Sequence, residues 1–103
     1  MLAGLNSTMK QYEREALYTK AVNSTSLERQ VIHLVEEESE LNIEISHLLR
    51  GRKTDKVEFV KELADVAIML DEMRVLFGVS VEAVRAAVDE KLAKFAAQMA
   101  DKP

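Results

Sequence analysis

Apolar residues along the chain recur at intervals of three and four, the spacing that places them on one side of an α-helix. Polar or glycine-containing breaks divide that pattern into four predicted helices. The first is expected from about Asn6 or Ser7 to Ala21, with Leu5, Met9, Tyr12, Ala16 and Lys20 near one stripe. After the polar break at residues 23–26, Thr25 and Glu28 have the spacing of a capping box and open a second helix that reaches about Arg50. Its apolar positions are Leu27, Val31, Leu34, Leu41, Ile45 and Leu48, and Gly51 follows where a left-handed C-terminal cap is wanted. Asp55 and Glu58 repeat the box pattern and start a third helix, through Val57, Val60, Leu63, Ala64, Ala67, Ile68 and Leu70 to Phe77, where Gly78 ends it. Ser80 caps a fourth helix, Val79 and Val84 are spaced for a hydrophobic staple, and the pattern persists to about Met99 before the tail Asp101-Lys102-Pro103.

The short connection between the second and third helices predicts an antiparallel hairpin. With one proline, three glycines and 5% aromatic residues, the composition favours helices over sheets, so the fold class expected is all-α. No internal repeat or linker interrupts the chain, and residues 1–103 are expected to form one domain. A single layer of short helices leaves the hairpin's far side uncovered, which predicts a homodimer or homotetramer.

The hairpin carries the candidate chemistry. Glu36-Glu37-Glu38-Ser39-Glu40 packs four carboxylates into five residues, and like charges three or four apart on a helix each cost roughly 0.2–0.5 kcal/mol. At about 100° per residue, Glu37, Glu40 and Glu44 fall together beside the Leu41/Leu48 stripe, while Glu58, Glu62, Asp65, Met69 and Glu72 share one stripe of the third helix. Across an interhelical distance of about 8–10 Å, Glu37/Glu40 would face Glu62/Asp65 over a gap suited to a hard cation with oxygen ligands, magnesium first and manganese as its substitute. Solvated acidic faces are the commoner explanation of glutamate-rich helices. Two matched pairs at the same spacing on antiparallel partners, each beside apolar residues, favour the metal.

Glu36-Glu37-x-x-Glu40 followed by Glu62-Leu63-Ala64-Asp65 resembles the EExxE…ExxD signature of MazG-type all-α nucleoside triphosphate pyrophosphohydrolases. Met9-Lys10-Gln11-Tyr12 with Ala16 and Thr19 is similar to that family's first helix, and Gly78-Val79-Ser80 through Lys91 to its last turn and helix. The resemblance implies a four-helix MazG-like bundle with a central hairpin, oligomeric, that hydrolyses a nucleoside triphosphate, either a deoxyribonucleotide or a non-standard one, to the monophosphate and pyrophosphate. It implies Glu37, Glu40, Glu62 and Asp65 as ligands of Mg2+ or Mn2+, Glu36 as a supporting or water-orienting carboxylate, and Lys91 facing the substrate phosphates. Where many relatives have asparagine and arginine after that lysine, this chain has Phe95 and Gln98, which leaves the base and sugar open. Glu36, Glu40 and Glu62 are all placed to take a proton from water.

Other features divide between chemistry and structure. Arg50, Arg52, Lys53 and Lys56 at the hairpin turn complement a helix C-terminus more readily than they define a phosphate site. Met69, Met73 and Phe77, like Tyr12 and Tyr18, read as packing residues rather than a base pocket. Glu38 falls inside the apolar stripe of the second helix, where it would meet a basic group of another subunit or turn toward solvent. Glu44-x-x-His47 has the spacing of di-iron carboxylate bundles, but Gln30 stands where the second Glu-x-x-His would need its glutamate before His33.

With 14 basic against 18 acidic residues, a net charge of −4 argues against a nucleic-acid polymer as partner. The absence of cysteine fits a reducing compartment, and neither a signal-peptide core at the start nor an apolar run longer than Val66–Leu70 points to a membrane, so a soluble cytoplasmic protein is expected. The alternatives are a phosphoribosyl-ATP pyrophosphohydrolase, with the same acidic hairpin, and a non-catalytic helical association module.

Overall fold

A computed structural model describes residues 8–51 and 56–102 as four helices, with no strand among the described residues. They are α1 (Gln11–Asn23), α2 (Leu27–Leu49), α3 (Val57–Leu76) and α4 (Val81–Ala100). The predicted first-helix start at Asn6 or Ser7 and the Asp55 cap lie outside the described residues. The cap of α2 falls on Ser26 rather than Thr25: its hydroxyl accepts the Arg29 amide at 3.2 Å, satisfying one of the helix's orphan donors. Ser80 caps α4 as expected, accepting the Ala83 amide at 3.1 Å. Gly51 and Gly78 both take positive φ, 68° and 69°, the left-handed turn that a side chain would strain.

The main contact is α2 against α3, and α1 packs on α3. The α2–α3 pair runs antiparallel, because Glu37 in mid-α2 meets Glu62 and Asp65 in the first half of α3, while Glu72 near the end of α3 joins Arg29 and His33 near the start of α2. Their facing stripes differ from the apolar ones read in the sequence. On α2 the covered positions include Gln30, Leu34, Glu37, Leu41, Glu44 and Leu48; on α3 they include Phe59, Glu62, Val66, Met69 and Met73. Leu27, Val31 and Ile45, expected in the core, are exposed, as are Val57, Val60, Leu63, Ile68 and Leu70. The hairpin has rotated its carboxylates partway into the interhelical seam and left a second apolar stripe outside. Met69 is buried at 4% exposure, whereas Phe77 and Tyr12, expected to pack, are exposed at 62% and 70%.

A polar network with little trace in the sequence pattern fastens α1 to α3. Arg74 is buried, and its guanidinium makes a two-point contact with the Glu15 carboxylate, Nη1 to Oε1 at 2.8 Å and Nη2 to Oε2. The same side chain donates Nε to Asp71 Oδ1 at 3.4 Å and Nη1 to the Val79 carbonyl at 2.9 Å, so one residue ties α1, α3 and the turn before α4. Tyr18, also buried, donates its hydroxyl to Asp71 Oδ2 at 3.2 Å. Glu15 is correspondingly held below the usual carboxylate range by its hydrogen bond from Arg74, and burial followed by the Asp71 charge pushes the Tyr18 phenol up. Its one sequence signal was a lone arginine inside the apolar run Met73-Arg74-Val75-Leu76.

α4 touches the remaining helices only marginally and has no buried residue. No helix among the described residues is long and apolar enough to cross a membrane.

Candidate metal site

Glu37 occupies the α3-facing side of α2, and Glu62 and Asp65, one turn apart, rise from α3 to meet it. Each of the three has a carboxylate oxygen within 4.8 Å of the others, and they form the one group of potential metal ligands among the described residues. Octahedral coordination at about 2.1 Å sets oxygens roughly 3.0 Å apart for neighbours and 4.2 Å for opposite positions, a spacing close to that of these three oxygens.

Glu62 is the centre of the cluster. Its Oε2 is buried and has no hydrogen-bond partner, an arrangement that costs free energy unless a cation or a proton completes it. Desolvation first, and then the charges of Glu40, Asp65, Glu37 and Glu44, push its carboxyl above the usual range. Four acidic neighbours and an unpaired oxygen are the environment a divalent cation relieves, so the donor set fits a hard metal ion.

Of the other expected residues, Glu40 lies close enough to act on Glu62 through its charge but stands outside the three-oxygen group. Glu36 stands outside that group and lines a groove of about 500 Å3, with Ser24, Arg29, His33 and Glu72 among its walls. Lys91 sits on α4, exposed, and its own chain does not pack that helix against the cluster. The hairpin-turn residues Arg52 and Lys53 lie outside the described residues.

The pairing of His33 with Glu37, Nε2 to Oε1 at 3.3 Å, has no counterpart among the sequence expectations, although their four-residue spacing permits it. Such a contact would orient the carboxylate for a metal. His47 lies 3.9 Å from Glu44, but neither histidine joins a group able to share an ion among the described residues, so nothing assembles the di-iron set.

Comparison of the chain with protein-family models, with curated proteins and with solved structures found no match.

Proposed function

We propose that the chain is a metal-dependent pyrophosphohydrolase that cleaves a nucleoside triphosphate, a deoxyribonucleotide or a non-standard nucleotide, to the monophosphate and pyrophosphate. The observation that carries this reading is the convergence of Glu37, Glu62 and Asp65 around a buried, unpartnered carboxylate oxygen. The likeness of Glu36-Glu37-x-x-Glu40 and Glu62-x-x-Asp65 to the MazG-type signature supplies the substrate class, and with it a MazG-like bundle and a cytoplasmic setting.

Glu37, Glu62 and Asp65 would hold Mg2+ or Mn2+, with Glu40 supplying charge and a further ligand. The bound cation supplies screening of phosphate charge and acidification of a water. Glu36, outside the three-oxygen group and lining the adjoining groove, would be the carboxylate free to take a proton from the attacking water. Arg29 and His33 in the groove offer polar contacts to the nucleotide. Lys91 contacts phosphate only in an assembled homodimer or homotetramer, because its own chain leaves α4 unpacked.

Pyrophosphate release from a panel of ribo- and deoxyribonucleoside triphosphates, with and without magnesium, tests this function. Glu37→Gln and Asp65→Asn should each keep the helical signal and lower turnover by roughly 100-fold or more, since loss of even outer-shell support costs 10–100-fold at metal sites. Unchanged turnover in both variants would remove the proposed site. Turnover of phosphoribosyl-ATP alone would move the substrate within the same chemistry. No magnesium response at all would favour the association module, for which the uncovered apolar face of the hairpin speaks.

A further inference from the structure

The groove beside the metal site contains a polar group that the chain itself does not use. Gln30 is buried, at 5% exposure, on the side of α2 that faces α3, yet no hydrogen bond forms to its side-chain amide among the described residues. It lines the groove of about 500 Å3 bounded by α2, by the end of α3 and by the turn after α1, a volume within the range of pockets that take small ligands. An amide carried that deep loses its hydration and gains nothing within the chain, which is unfavourable unless a ligand in the groove meets its N–H donors and its carbonyl.

The groove and the metal site are continuous. His33 lines the groove and also pairs with Glu37 at 3.3 Å, and Glu36, next to Glu37 in the chain, lines it too. From Gln30 to Glu37 the helix rises about 10 Å, close to the distance from the recognition edge of a nucleobase to its 5′ phosphate. A nucleotide whose phosphates lie at the metal ligands therefore brings its base to Gln30. There α3 contributes the Glu72 carboxylate, and α2 contributes the Arg29 guanidinium and the apolar side chain of Ile32.

These side chains discriminate among bases. A carboxylate accepts hydrogen bonds and donates none, so Glu72 calls for N–H groups, and two adjacent ones satisfy both of its oxygens. Guanine presents such a pair, N1–H beside the 2-amino group, whereas adenine, cytosine and thymine each offer one donor group flanked by acceptors or carbon. Guanine also carries O6 and N7, acceptors for an amide N–H of Gln30 and for the Arg29 guanidinium. Ile32 gives the flat face of the base an apolar surface. We infer that Glu72 and Gln30 recognise a guanine base, so that the substrate is a guanine nucleotide, an inference that rests on the proposed hydrolysis for the position of the phosphates.

Calorimetric titration of the full chain with dGMP, dAMP, dCMP and dTMP in magnesium, beside pyrophosphate release from the four matching triphosphates, tests the base site. The wild type should bind dGMP at least about tenfold more tightly than the other three, and kcat/KM for dGTP should lead by a similar factor, as one or two charge-assisted hydrogen bonds in a partly open groove allow. Glu72→Gln replaces one acceptor by a donor, and Gln30→Leu removes the amide at similar volume. Each should weaken dGMP binding by roughly 10–100-fold and the other three by less than about threefold, so the preference for guanine collapses. Equal wild-type affinity for all four, a preference that survives both substitutions, or a loss shared evenly by the four nucleotides overturns the inference. Equal turnover of the four triphosphates would overturn it too, while leaving the pyrophosphohydrolase in place. Selective dGMP binding without pyrophosphate release from any triphosphate would support the base site and remove the hydrolase.

Discussion

Saturating magnesium is expected to raise the melting temperature of the wild-type protein by on the order of 10–20 °C and to leave Glu62→Gln unmoved. A ligand present at about 100 times its Kd stabilises the folded state by about 2.7 kcal/mol, and a domain of this length shifts roughly 4–8 °C per kcal/mol. In the absence of divalent cations the order reverses, and Glu62→Gln should melt above the wild type. The reason is the crowding of Glu62 by Glu40, Asp65, Glu37 and Glu44 around an oxygen with no partner, which a neutral amide relieves. A variant both more stable and unresponsive to metal marks a site built for a charge that the protein alone does not supply. Equal melting of both proteins with and without magnesium would remove Glu62 from any metal site.

The same carboxyl sets a pH dependence. Because its pKa is raised in the folded chain, the stability it contributes is fully present below the ordinary value of 4.5 and is lost as pH rises through the raised value. Glu15 works in the opposite sense: its lowered pKa contributes stability above that ordinary value, which disappears as pH falls through the folded one. Metal-free wild type should therefore lose stability as pH climbs from the usual carboxylate range, and Glu62→Gln should flatten that slope. Magnesium affinity should weaken as pH drops through the same window, since the ion must displace the proton. Thermal melts and metal titrations across that range read both.

The second large effect is expected at the α1–α3 clamp. Glu15→Ala should cost about 1.5–3 kcal/mol in urea unfolding, because it removes the two-point contact and leaves the buried Arg74 guanidinium only Asp71 and the Val79 carbonyl. Arg74→Met should cost less, since Glu15 and Asp71 are partly exposed, 32% and 39%, and turn to water once released. The double variant Glu15→Ala/Arg74→Met should be more stable than Glu15→Ala alone, as removing the pair together avoids a buried guanidinium short of partners. Additive losses in the cycle would show that the two residues do not act as a unit.

The four helices follow from local chemistry that the sequence displays directly. Three-and-four spacing, the Ser80 cap and the positive-φ turns at Gly51 and Gly78 involve neighbours within about one helical turn, and each lies where periodicity placed it. The meeting of Glu37 with Glu62 and Asp65 was legible for the same reason, since helical spacing fixes which side chains share a face. What the sequence left open was how far each helix turns about its own axis. Both hairpin helices carry two apolar stripes, and spacing does not say which packs within the chain and which is left to another. Packing against the partner helix decides that, and it chose the seam containing Glu37, Glu44 and Glu62 over the one containing Val31, Ile45 and Leu63. The clamp is long-range in the same sense: Glu15 and Arg74 are 59 residues apart, and only the docking of α1 on α3 brings their charges together. The sequence by itself determined the helices and the acidic chemistry they display; the tertiary structure decided which oxygens converge, which arginine is buried and which apolar face remains open, because those depend on helix rotation and docking that no local pattern encodes.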